Sequence, residues 1–258
     1  MPSPPASRRL LRYVLTALLA VMFGGPMLAL ALGHASLGRD WRHASQDSAG
    51  LAPDPATHRE PVVQVYAART VGWRGAFAVH TWVAVKPQDA DSYTRYEVIG
   101  WRLLRGANSA MSVSADRAAD GAWFGARPQL LRDLRGDAAA VVIAKLPAVL
   151  SAYPYGGEYR AWPGPNSNTF VAWIGREIPE LELAMPSNAI GKDFVPIDRV
   201  VGWAPSHTGV QLSLYGLAGA IVGRDEGLEI NVLGLVTGVD FRHPAIKLPG
   251  IGRIGTPS

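Results

Sequence analysis

Apolar residues fall along this chain in three textures. Tyr13 to Leu32 is an unbroken run of twenty uncharged residues, enough at 1.5 Å per helical residue to cross a hydrocarbon core of about 30 Å. From Val62 the apolar positions come instead in short β-branched and aromatic segments. Val62–Arg69, Phe77–Lys86 and Tyr93–Gly100 read as strands, the first two forming a hairpin across Gly72 and Gly75. A short helix is predicted around Arg127–Arg135, followed by the apolar stretch Ala138–Ala144 and a further helical turn or two over Pro147–Ala152. Beyond the breaker Tyr153-Pro154-Tyr155-Gly156-Gly157, the loop Trp162–Ser167 leads into a clear helix. In that helix Phe170, Val171, Ile174 and Ile178 share one face before Pro179. Past Val201 the texture is glycine-punctuated. Val210–Val222 and Leu228–Val239 read as two long strands joined by the turn Arg224–Gly227. Their glycines suit bulges or close backbone approach in a soluble sheet; a surface lying against lipid is the alternative.

These elements predict an α+β fold, mainly antiparallel sheet with a few short helices, preceded by one transmembrane helix. The expected organisation is a basic tail at 1–12, the span at 13–32, a linker at 33–60, an α+β domain at 61–200 and a glycine-rich β extension at 201–258. The linker reading rests on Pro53, Pro55 and scattered small polar residues without periodicity. Arg8, Arg9 and Arg12 precede the apolar run and place its N-terminal end in the cytoplasm. Everything after Leu32 is then expected in the periplasm. The competing reading is a cleaved signal peptide, since Ala29-Leu30-Ala31 resembles a cleavage site; it exports the same domain.

Charge changes this picture by where it sits. The chain has a formal net charge of +4 and a pI near 9.5, but residues 61 to 258 carry 19 basic and 17 acidic groups. No basic run interleaved with aromatics stands out there, so nucleic acid is not an expected partner. With 258 residues, 48% of them hydrophobic, the chain is able to bury a sizeable core. It has no cysteine, which excludes disulfides, thiolate metal sites and a cysteine nucleophile. His34, His43, His58, His207 and His243 lack metal-ligand spacing. No GxxxxGK[ST] phosphate loop occurs. No metal and no cofactor is expected.

One polar run is suited to chemistry. Pro163-Gly164-Pro165-Asn166-Ser167-Asn168-Thr169 opens a helix, so its side chains sit among unpaired N–H groups at the positive end of the helix dipole. Ser167 is the candidate nucleophile, His80 in the strand Val79–Val83 the candidate base, and Glu97 the group that orients it. Backbone N–H groups after Ser167 are the expected oxyanion donors. Asn166, Asn168 and Trp162 are candidate binding residues. The plainer alternative makes Asn166 or Ser167 an N-cap and His80 a hydrogen-bonded sheet residue.

The runs PGPNSNTFVAWIGREIPEL, Pro186–Phe194 and LSLYGLAGAIVGRDEGLEINVLGLVTGVDFRHPAIKLPGIG closely resemble a bacterial family, domain of unknown function 3750, over residues from about 62 to 254. That resemblance indicates a class of protein and assigns no reaction. More remotely, the chain is similar to the circularly permuted branch of the NlpC-like, papain-related enzymes. There a strand histidine, matched by His80, precedes a helix-opening cysteine, matched in position by Ser167. The resemblance implies cleavage or acyl transfer at amide or ester bonds. An envelope peptide or lipid is then the expected substrate and membrane lipid the expected partner of the helix. Serine in place of the thiol leaves a serine hydrolase, or a site that binds without cleaving.

Overall fold

The structure is a computed structural model that describes residues 6–35 and 42–256. It is α+β, with one apolar helix followed by two antiparallel sheets and a few helices. The helix, α1 (Ala6–Ala31), carries Arg8, Arg9 and Arg12 in its first turns and runs through Pro26. It is long and apolar enough to cross a membrane, by length and composition. Met22, Gly25, Pro26 and Ala29 are buried, a spacing that places them on one helical face. That face meets the folded part: a side chain on Gly25 would strike the Pro249 carbonyl, and one on Gly250 would strike Pro26.

The first sheet contains β1 (Val62–Arg69), β2 (Val79–Lys86), β3 (Thr94–Val98), β4 (Met111–Ser114) and β5 (Gln129–Arg135), in the order β4-β3-β2-β1-β5. β1 and β2 pair over their whole length and are covered on both faces, which accounts for their dense β-branched and aromatic content. The short helix α2 (Gly100–Leu104) follows β3. One face of the sheet packs on α3 (Gly136–Ser151) and α4 (Ser167–Glu177) through Val65, Val83, Val142, Phe170 and Ile174. On the other, Tyr66, Trp82 and Trp123 form a second apolar cluster. The segment from Ser48 lies on that side. Asp120 accepts hydrogen bonds from Ser48 Oγ and from the Leu51 and Ala52 N–H groups.

Between residues 127 and 152 the expected elements differ. Arg127–Arg135 is not helical: Gln129–Arg135 forms β5, because the open edge of β1 offers it a full antiparallel ladder, and tertiary pairing overrides local propensity. Ala138–Ala144 and Pro147–Ala152 belong to one helix, α3. Its buried stripe Ala139, Val142 and Leu146 holds it together across Pro147.

The second sheet is a seven-stranded meander: β6 (Val201–Trp203), β7 (Gly209–Leu214), β8 (Ala218–Gly223), β9 (Gly227–Val232), β10 (Leu235–Asp240), β11 (Ala245–Leu248) and β12 (Gly252–Gly255). The two long strands expected here are therefore four short ones. The chain reverses at Tyr215-Gly216-Leu217 and at Leu233-Gly234, where Leu233 and Gly234 both have positive φ (55° and 82°). That is the backbone of a two-residue hairpin turn. Its inner face is polar: Glu229 bridges Lys192 and Lys247 at 2.5 and 2.6 Å, and Asn231 Nδ2 donates to Asp193 at 2.7 Å.

Candidate functional site

The antiparallel ladder decides which side chains can meet. β2 and β3 pair only from Val83 to Val85 on β2, while Glu97 and Val98 of β3 stay paired with β4, so the two strands part toward the start of β2. His80 and Trp82 lie on one face of β2, and Arg95 and Glu97 on the same face of β3, because residues two apart in a strand point the same way. His80 Nε2 donates to Glu97 Oε2 at 2.8 Å. The same oxygen accepts from Arg95 Nη2 at 3.0 Å, and Oε1 accepts from Arg117 Nη1 at 2.6 Å. His80, Arg95 and Glu97 are all buried.

Electrostatics then fix the protonation states. Burial alone raises the Glu97 pKa, but the hydrogen bond from His80 and the charges of Arg95 and Arg117 overcome it and hold the carboxyl down to about 2. An ionised carboxylate only accepts, so the proton of His80 sits on Nε2. Burial pushes the His80 pKa below its ordinary value, outweighing the upward pull of Glu97. The imidazole is therefore neutral near pH 7, with Nδ1 as its available lone pair. The Trp123 ring stacks on it with centroids 3.6 Å apart and planes 11° from parallel. Arg95 in turn lies over Trp82 at 3.9 Å.

α4 approaches β2 from the opposite face. Asn166 is its N-cap: Oδ1 accepts from the Asn168 and Thr169 N–H groups, and Thr169 Oγ1 accepts from the Asn166 N–H to complete a capping box. Asn166 Nδ2 donates to the Ala161 and Ile190 carbonyls. Asn168 Nδ2 donates to the Val79 and Ile190 carbonyls, and its Oδ1 accepts from Thr81 Oγ1. Thr81 is the neighbour of His80, so these bonds tie the start of α4 directly to the strand that carries the histidine.

His80 and Ser167 line one cleft of about 600 Å³, together with Val71, Trp101, Trp123 and Tyr159. Arg74 also lines it, and continues with Trp101 into an adjoining groove that includes Arg105 and Arg117. The six expected site residues thus divide. His80 and Glu97 are bonded to each other, and Ser167 shares the cleft without a hydrogen bond to His80. Asn166 and Asn168 border the cleft with their polar atoms engaged in positioning α4. Trp162 lies outside it, its Nε1 donating to the Leu233 carbonyl at 2.8 Å. The Asn168 and Thr169 N–H groups, expected to hold an oxyanion, are occupied by the Asn166 side chain instead.

Arg95, Arg117 and Trp123 went unrecognised in the sequence. The alternation Arg95-Tyr96-Glu97 does signal a same-face pair. Nothing local signals that Arg117 and Trp123 return from a loop to meet it. Among the described residues no group of three or more metal-ligating side chains comes together.

Neither a curated protein nor a solved structure matches this chain. One family model matches residues 60–194, just over half of it. The matched region holds the first sheet, α2 to α4 and all of His80, Glu97 and Ser167, while α1 and the second sheet lie outside it. On that match the chain belongs to the family described as "Protein of unknown function (DUF3750)".

Proposed function

We propose that α1 anchors this protein in the bacterial inner membrane, with both sheets in the periplasm, and that the cleft is a hydrolase or acyl-transfer site for envelope peptide or lipid bonds. The arginines at the N-terminal flank of α1 support the orientation. The observation that carries the catalytic reading is the Glu97-held, neutral His80 in the same cleft as Ser167. The order of strand histidine, strand carboxylate and helix-opening residue is also similar to that of the permuted NlpC-like enzymes, with serine replacing the thiol.

In this reading a water in the shared cleft relays the proton of Ser167 Oγ to His80 Nδ1, which lies on the other face of β2 from α4, as Oγ bonds to the substrate carbonyl carbon. The C–N or C–O bond then breaks and the leaving group receives that proton. Water, or an acceptor amine or hydroxyl, releases the acyl group from Ser167. The Ser167 N–H is the backbone donor for the oxyanion, since the next two are engaged by Asn166. The apolar walls favour an acyl chain or apolar side chain, and Arg74 an anionic group beside it.

One observation favours a second reading: His80 and Ser167 share no hydrogen bond, so the cleft is then a binding site without cleavage. Turnover separates the two. The full-length protein in detergent is expected to hydrolyse fluorogenic acyl esters or peptide amides, with Ser167→Ala at least about 100-fold slower. Probe binding without turnover, read from Trp101 and Trp123 fluorescence, supports the binding protein.

A further inference from the structure

The second sheet is inside out for a soluble protein. Antiparallel sheets with one wet face normally bury the apolar side and expose the polar one. Here Gln211, Ser213, Glu229, Asn231, Asp240 and Lys247 all point to the buried face. The other face carries one registered row across all seven strands: Trp203, Val210, Val222, Leu228, Val239, Ile246 and Ile254 are successive cross-strand partners. Trp203, Val210, Val222, Ile246 and Ile254 each leave 46–56% of their surface uncovered. The rows running through Leu212 and Leu214 add aliphatic residues and Thr237, and no charge. At a strand spacing of about 4.8 Å the face is about 29 Å wide, beyond the scattered apolar exposure of ordinary surfaces.

The neighbouring helix identifies what covers it. The turn between β11 and β12, at Pro249 and Gly250, is packed against Gly25 and Pro26 of α1. Gly25 lies seven residues before Leu32, the end of the apolar run, so this turn sits toward the periplasmic end of the span when α1 crosses the bilayer, with the Arg69 guanidinium on the Gly250 and Ile251 carbonyls reaching the interface. β11 and β12 leave that turn carrying Ile246 and Ile254. Leu233 and Phe241, at two other turns of the same sheet, are also exposed.

We propose that the outer face of β6–β12 is a lipid-binding surface that lies against the acyl chains of the bilayer crossed by α1. This rests on the reading of α1 as a membrane anchor. The polar buried face follows from the same arrangement: with lipid on one side, the sheet's charged residues pair inward as Lys192–Glu229–Lys247. A cleft held at the membrane surface is open to substrates that partition into the bilayer.

The absence of cysteine makes the test direct. Val222→Cys, Ile230→Cys, Leu19→Cys and Asp91→Cys are each made in the full-length chain. Each carries one nitroxide in vesicles of phosphatidylethanolamine and phosphatidylglycerol, and collision with oxygen and with a water-soluble nickel chelate is read by power saturation. The expected result is an oxygen-to-nickel ratio at Val222 and Ile230 several-fold above that at Asp91. Nickel access at both sheet positions with Leu19 shielded overturns the lipid surface and leaves the anchor standing. Shielded sheet positions with Leu19 open to nickel leave the lipid surface standing as peripheral binding and remove the anchor. Low access to both reagents, with spin–spin broadening between copies, overturns the proposal in favour of a second copy of the chain.

Discussion

The indole of Trp123 lies flat against the imidazole of His80, with ring centroids 3.6 Å apart. The contact covers one face of the ring and holds its plane, so the tryptophan contributes to the burial that lowers the His80 pKa. Trp123→Ala is expected to raise the His80 pKa toward 6.5 as burial is relieved. An NMR titration of the His80 Cε1 proton reads this. The same change is expected to cost about 3–5 kcal/mol of stability.

The single carboxylate of Glu97 accepts from buried Arg95, from partly exposed Arg117 and from neutral His80. Glu97→Gln keeps the shape and removes the charge, leaving Arg95 buried without its partner. A loss of about 3–5 kcal/mol in urea unfolding is expected.

Acid acts on the same cluster. The folded Glu97 pKa is held near 2, below the ordinary value of 4.5, so its stabilisation is present above pH 4.5 and disappears as pH falls toward 2. His80 is also held below its ordinary 6.5. The unfolded chain therefore takes up a proton first, and stability begins to decline below pH 6.5. Thermal midpoints are expected to fall steadily from pH 7 to pH 3, with a shallower slope in the Glu97→Gln, His80→Ala double variant.

The helix cap offers a prediction about position rather than charge. Asn166→Ala deletes the acceptor for the Asn168 and Thr169 N–H groups and the donor to the Ala161 and Ile190 carbonyls. Loss of about 1–2 kcal/mol is expected, and hydrogen exchange at Asn168 and Thr169 is expected to accelerate far more than at Ile174.

How much of this was legible in sequence depends on how local each signal is. β1, β2 and the apolar stripe of α4 show in spacing alone, because their burial follows a fixed period. β5 does not, since Gln129–Arg135 becomes a strand only by meeting the edge of β1. The turn at Leu233-Gly234 lacks the Asn or Asp that marks a two-residue hairpin, so two strands read as one. The alternation Leu228-Glu229-Ile230-Asn231-Val232 is plain in the sequence, yet its period does not state which parity faces inward. Only tertiary structure places Glu229 between two lysines. At the proposed site, residue chemistry suggested His80, Glu97 and Ser167, and the structure joins only His80 and Glu97 by a hydrogen bond. The loop that returns Arg117 and Trp123 is long-range and carries no local mark.

The measurement that bears most directly on the cleft is covalent labelling of the full-length protein with a serine-directed fluorophosphonate, mapped by peptide mass spectrometry. A single adduct on Ser167, lost in His80→Ala and reduced in Glu97→Gln, is the predicted result. An unlabelled Ser167 in a folded protein, or labelling that persists undiminished without His80, contradicts the account of His80 and Ser167 as base and nucleophile.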